Sequence, residues 1–290
     1  MISNQVPIIF DRNRLKKHRA RAVVNFAEHD FLYREMGQRL CDRLEYIKRK
    51  FPFALDLGAH NGILAEILEE RGGIENLVQM ELSEPLLSGA KNIKVVGDEE
   101  LLPFAENSFD LIISVGSLHW VNDLAGTLIQ IQRSLKPDGL FLAIFFGGQT
   151  LQELRASFEK AEMEFRGGVS PRISPFIDVQ AAGSLLQRAG FALPVVDSEI
   201  LTVEYNHPLK LMKELRGMGE TNTLHECEKN FTPCSLVMSA VDNYLRDFSN
   251  EQQRIEASFE LITLTGWKPH CSQQKPSNRG SGKVPISQVI

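Results

Sequence analysis

The 290-residue sequence predicts an α/β fold, a doubly wound and mostly parallel seven-stranded sheet of the Rossmann-like kind, on three observations. The stretch FALDLGAHNGILAEIL, residues 53–68, passes from a short apolar run through Asp56-Leu57-Gly58 into helical spacing after Gly62: a strand, a tight turn and a helix start. Further short apolar runs alternate with helical stretches, the pattern of βαβ units around a parallel sheet. Two later extended segments flank a helical insertion, as at an antiparallel sheet edge.

Taken in order, residues 31–48 carry apolar side chains at Phe31, Leu32, Met36, Leu40, Leu44 and Ile47, a helical stripe that should cover the sheet. Core strands fall near 53–57, 77–81, 93–96, 111–115 and 140–146, with helices starting near Asn61, Pro85, Asp123 and Thr150. Pro137-Asp138-Gly139 is turn chemistry ahead of the fifth strand. Asp178 caps a helix that stops at Ala189-Gly190, and 192–205 and 258–265 read as the edge strands. Between them lie helices around 209–215 and 236–248. The organisation expected is a helical arm (1–50), a ligand-binding core (51–205), a helical cap (206–250), the last strand and its flank (251–271) and a tail of low order (272–290).

Composition narrows the functional classes. A net charge of -5 and a pI near 5.9 argue against a nucleic-acid binder, which carries a basic stripe and a pI above about 9. No segment has the roughly 18 consecutive apolar residues of a membrane span. Cys41, Cys227, Cys234 and Cys271 form no CxxC pair and match neither a zinc site nor a disulfide framework. A cytoplasmic location is expected, or the mitochondrial matrix if the chain is eukaryotic.

The ligand reading starts from acidic residues. Glu81 ends NLVQMEL, near the roughly 20-residue spacing at which a carboxylate takes up ribose hydroxyls. Asp98, one strand further on, is placed to accept the exocyclic amine of adenine. Asp56, Glu81 and Asp98 are thus expected to face one crevice. His60 stands in the Gly-rich turn where a glycine is usual.

DLGAHNG, Glu81, GDEELLPFAENSFDLIIS and LKPDGLFLA make the chain resemble the class I methyltransferases that use S-adenosylmethionine. LLPFAENSFDLIISVGSLHWVND, FGGQTLQELR, SPRISPF, RGMGETN and LTGWKPH narrow the resemblance to bacterial relatives of a mitochondrial complex I assembly factor, regarded as a protein arginine hydroxylase. More distantly they resemble the malonyl-acyl carrier protein methyltransferase of biotin synthesis. The resemblance covers nearly the whole chain. It implies S-adenosylmethionine as cofactor, bound by Asp56, Gly58, His60, Gly62, Glu81, Leu82, Asp98, Glu99 and Ser114. It also implies methyl transfer to a small molecule, an acyl carrier or a protein side chain. The alternative is an assembly factor that docks a respiratory complex subunit and hydroxylates arginine, since fold alone does not determine chemistry.

The reacting residues are less sharply marked. His119 and Trp120 follow the fourth strand's carboxyl end, where substrates of open sheets sit; His119 could serve as a base, or both could pack the loop. Glu220 and Asn222 in RGMGETN could bind a cationic group such as arginine, or belong to a helix C-cap. The arm residues Arg12, Arg14, Lys16, Lys17, Arg19 and Arg21 could dock an acidic carrier, fold over the cofactor, or form a solvated face. No metal site is expected. The only 2-His-1-carboxylate set on offer is His119 and Asp123 with His60. Ser114-Val115-Gly116-Ser117 occupies the strand end where nucleobase methyltransferases carry Asn-Pro-Pro-Tyr, which disfavours a base as acceptor.

Overall fold

A computed structural model describes residues 7–69, 71–274 and 281. Most of the tail expected to be of low order therefore lies outside the described residues. Two helices lead in, α1 (Arg12–Ala22) and α2 (Phe31–Glu45). The core follows as β1 (Phe53–Leu57), α3 (Ile63–Leu68), β2 (Asn76–Glu81), α4 (Glu84–Leu87), β3 (Ile93–Val96), β4 (Phe109–Val115), α5 (Leu124–Ser134) and β5 (Leu135–Phe146). Then come α6 (Gln152–Arg166), α7 (Val179–Arg188), β6 (Ala192–Tyr205), α8 (Pro208–Gly217), α9 (Cys234–Phe248) and β7 (Ile255–Trp267).

One seven-stranded sheet has the order β3-β2-β1-β4-β5-β7-β6. The first five strands are parallel, and β7 runs antiparallel between β5 and β6. The order reverses between β1 and β4, the switch point at which such sheets open a crevice.

Side-chain alternation divides the core in two. Leu111, Ile113 and Val115 of β4 and Leu140, Leu142, Ile144 and Phe146 of β5 pack with Met36, Leu40 and Leu44 of α2 and with Leu211 and Tyr244 of the insertion. Ile112 of β4 and Phe141, Ala143 and Phe145 of β5 pack on the other face with Leu128 and Ile131 of α5 and Leu186 of α7. This period of two makes a strand buried on both faces read as a continuous apolar run.

Two local expectations change. The stripe over 31–48 ends as a helix at Glu45, because the Tyr46 amide turns back onto the Arg43 and Leu44 carbonyls. Pro137-Asp138-Gly139 lies inside β5 rather than before it. The pairing with β4 jumps from Phe109↔Leu135 to Leu111↔Leu140, and Asp138 sits at φ 64°, so the turn residues make a bulge. No helix among the described residues is long and apolar enough to cross a membrane.

Candidate active site

The turn after β1 is built by close approach. Gly58 has φ +77°, and a Cβ there would lie 2.2 Å from the Cβ of Ser117, so only glycine lets the β1 and β4 ends meet. The Gly58 and Ala59 amides both donate to the Met80 carbonyl at 2.9 Å. Ser114 Oγ donates to Leu57 O at 2.7 Å, pinning the β4 end to the β1 end. His60 takes φ 50°. Its ring is buried, with centroids 4.2 Å from Tyr33 and 5.9 Å from Phe26. His60 Nε2 lies 3.1 Å from the Val115 carbonyl, which can only accept, so the proton sits on Nε2. Burial first, then the charge of Arg19, lowers its pKa and keeps it neutral.

Beyond this turn the acidic residues converge, but on arginine. Arg19 Nη1 donates to Glu81 Oε1 at 2.9 Å and Glu99 Oε1 at 3.3 Å, with exposures of 1% for the arginine and 0% for each glutamate. Arg12 Nη2 donates to Asp98 Oδ1 at 2.7 Å and also bonds Glu99. Glu81 Oε2 accepts the His60 amide at 3.1 Å, and its Oε1 the Ser83 amide at 3.0 Å. Ser117 Oγ donates to Glu99. Burial alone would push Glu99 up; Arg12, Arg19 and the Ser117 hydroxyl overcome it and hold the carboxyl well below its usual range.

Asp56 does not join this group. It pairs in register with Gln79, two positions short of Glu81 along β2, and accepts from Gln79 Nε2 at 3.1 Å. Its Oδ1 is buried without a partner. Burial pushes its pKa up to about 7, with the Glu81 charge adding to the shift and the Gln79 bond opposing it. Leu82 packs with Phe10, Leu15, Trp120 and Leu224 rather than facing an open site.

A second carboxylate group forms beside the first. Tyr33 Oη donates to Glu220 Oε1 at 2.6 Å, and Trp120 Nε1 to Glu220 Oε2 at 2.7 Å. His119 Nε2 lies 3.1 Å from the same Oε2. Burial would raise the Glu220 pKa, but His119, Tyr33 and Arg19 outweigh it and lower it, so Glu220 stays ionised. Glu220 lines a cavity of about 250 Å³ together with Trp120, Phe146, Phe158 and Met212. Asn222 lines it too, donating to Pro171 O at 2.9 Å. His119, expected as a base, is fully buried behind Glu220 between the rings of Trp120, Phe146 and Phe176. It orients Glu220 and is absent from the cavity wall.

Among the described residues no group of three His, Cys, Asp or Glu side chains is placed to hold a metal ion. His60 and His119 turn to Val115 and Glu220, and Asp123 caps α5 by accepting the Gly126 amide at 2.8 Å.

The basic arm splits. Arg12, Leu15, Arg19 and Ala22 lie on the inner side of α1, while Lys16, Lys17 and Arg21 are exposed. Sequence reasoning did not single out Tyr33 or Ser117. Tyr33 could have been found as a polar-tipped aromatic within the buried stripe of α2; Ser117 carries no local signal.

A methyltransferase domain model matches residues 55–143. The human mitochondrial arginine-hydroxylase NDUFAF5 is 41% identical over 288 residues, covering 97% of this chain and 83% of its own length. The chain belongs to this family of class I methyltransferase-fold enzymes. The malonyl-[acyl-carrier protein] O-methyltransferase 1 of Coxiella burnetii is 30% identical over 280 residues, covering 97% of this chain and 96% of its own. Among solved structures, Bacillus subtilis YcgJ aligns with a TM-score of 0.56 at 16% identity, over 80% of this chain and 98% of that one. A Haemonchus contortus phosphoethanolamine N-methyltransferase 2, solved with S-adenosyl-L-methionine, aligns with a TM-score of 0.54 at 18% identity, over 86% of this chain and 57% of that one. Both likenesses are of fold. The residues of this family member fit the cofactor of class I enzymes in kind: Glu81 and Glu99 aim acceptors at one point within 2.9 and 3.3 Å of a single nitrogen. A ribose diol has donors for such a point.

Proposed function

We propose that the chain binds S-adenosylmethionine at the β1–β2–β4 strand ends and acts on the guanidinium of an arginine in a protein partner. The observation that carries this reading is Glu220, a carboxylate held by the Tyr33 hydroxyl, the Trp120 indole and the His119 ring, on the wall of a cavity lined by aromatic side chains. A carboxylate has about four lone-pair sites, and the three donors leave one for a cation. Arginine suits such a place, since its planar fork bonds carboxylates and stacks on aromatic faces. The malonyl carboxylate named for the acyl-carrier relatives would meet Glu220 as a like charge; of the two arginines that also line the cavity, Arg172 is paired with Glu162 and leaves Arg216 as the counterweight. A small-molecule or acyl-carrier acceptor is accordingly the weaker reading.

Glu81 and Glu99 would hold the ribose hydroxyls, Asp98 the adenine amine, and the backbone from Gly58 to Gly62 the methionine portion. When bound, the cofactor supplies an electrophilic methyl group. This chain's contribution is to orient the acceptor: Glu220 fixes the guanidinium, His119 and Tyr33 fix Glu220, and the aromatic wall keeps water out. The name of the arginine-hydroxylase relatives points to oxygen insertion at the same side chain. The partner is a respiratory complex subunit, met in a bacterial cytoplasm or, for a eukaryotic chain, in the mitochondrial matrix.

The test is calorimetry with S-adenosylmethionine, followed by incubation with arginine-bearing subunits and mass analysis of the peptides. Added methyl or added oxygen on arginine supports the reading and separates the two reactions. Modification confined to carboxyl or lysine groups would overturn it.

A further inference from the structure

The carboxylates that fit a nucleoside are already neutralised from within the chain. Arg19 of α1 is buried on Glu81 and Glu99, and Arg12 is bonded to Asp98 and Glu99. They lie on one side of the helix with Leu15 and Ala22, whereas the lysines of the same helix face solvent. The Arg19 nitrogen stands at the point between Glu81 Oε1 and Glu99 Oε1 that a ribose hydroxyl would need, and two groups cannot fill one place at once. We propose that α1 is an internal competitor of the cofactor, so that cofactor uptake and withdrawal of Arg12 and Arg19 from Glu81, Asp98 and Glu99 are one equilibrium. The inference rests on the cofactor reading given above.

The arm is joined to the segment that carries Glu220. Its approach is tied by main-chain bonds to the loop after α8: the Asp11 amide donates to Thr223 O and the His225 amide to Ile9 O, both at 2.8 Å. The Ile9 and Phe10 amides donate to Asn122 Oδ1 at 2.7 and 2.8 Å. His18 Nδ1 lies 2.6 Å from Thr221 Oγ1. Glu220 starts that same loop, so withdrawing Arg19 pulls on the segment that presents the substrate carboxylate. The arm is held in place because two buried carboxylates left with neither donors nor counter-charge are strongly disfavoured. The ligand opens it by supplying hydroxyl and amine donors in place of the guanidinium groups. Cofactor and substrate sites are then coupled through one helix.

The experiment is calorimetric titration with S-adenosylhomocysteine, paired with hydrogen exchange over residues 12–22. In the wild-type protein, ligand should speed exchange in α1. Arg12→Gln, which leaves Arg19 on Glu99, should bind about tenfold more tightly because one competitor is gone. Arg12→Lys should restore the wild-type affinity, and Lys16→Gln, on the exposed side, should stay within about twofold. Unchanged or slower exchange with ligand bound, or weaker binding by Arg12→Gln, overturns the competition while leaving the cofactor reading intact. Heat seen with Arg12→Gln but not with the wild type supports it. No heat with wild type, Arg12→Gln or Arg19→Gln overturns the cofactor reading and the competition with it.

Discussion

The end of the site proposed for the nucleoside and the cavity end use the same side chain to opposite purposes. At the nucleoside end Glu81 and Glu99 are buried against guanidinium groups. At the cavity end Glu220 is buried against a phenol, an indole and an imidazole. The first group is charge-balanced and can release its cations only when other donors arrive. The second keeps its negative charge and is ready for a cation. The partners of a buried carboxylate decide its role more than its depth does.

The largest effect should come from unbalancing the charged end. Glu99→Ala removes the carboxylate shared by Arg12 and Arg19, and breaking a buried pair on one side costs about 3 to 5 kcal/mol. Urea unfolding measures it. A loss below about 1 kcal/mol would mean that the pairs Arg19 keeps with Glu81 and Arg12 with Asp98 are sufficient and that Glu99 is dispensable.

At the cavity end Glu220→Gln keeps one acceptor oxygen, for Trp120, and sets its amide NH2 opposite the Tyr33 hydroxyl, which can turn to accept, but removes the charge. Affinity for an arginine-bearing peptide should fall by about 1.5 to 3 kcal/mol, with the fold retained. Equal binding by the variant would show that Glu220 is a structural acceptor only. Tyr33→Phe is smaller, about 1 kcal/mol, since one neutral donor is lost and two remain. It is read on the same peptide, and its effect should vanish in the Glu220→Gln background.

The contrast between the two ends also explains what was legible in the sequence. The positions of β1, β2 and β4 along the chain could be read because apolar runs and turn residues are local signals, and Glu81 and Asp98 sit at strand ends by the same logic. Their arginine partners could not be singled out. Arg19 lies 62 and 80 positions from Glu81 and Glu99, and a basic helix shows the same composition whichever side faces in. Glu220 drew notice through its flanking glycines, but its donors lie 100 and 187 positions away. Asp56 stands apart from Glu81 and Glu99 for a geometric reason. At the end of a strand a shift of two residues along the ladder separates a carboxylate facing a crevice from one facing a glutamine.

Asp56 gives the smallest effect and the sharpest sign. Its folded pKa of about 7 lies above the ordinary 3.8, so the stability it contributes is fully present below pH 3.8 and is lost as pH rises through about 7. Glu99 is shifted the other way, so its contribution is present above its ordinary 4.5 and is lost as the solution is acidified below that value. Asp56→Asn should therefore match the wild type at pH 4 and exceed it in stability by about 1 kcal/mol at pH 8, where the wild-type carboxyl is ionised without water around it. Paired melting curves across this range decide the matter. A gap that shrinks with rising pH would place Asp56 in an ionised, donor-rich setting and return it to the group formed by Glu81 and Glu99.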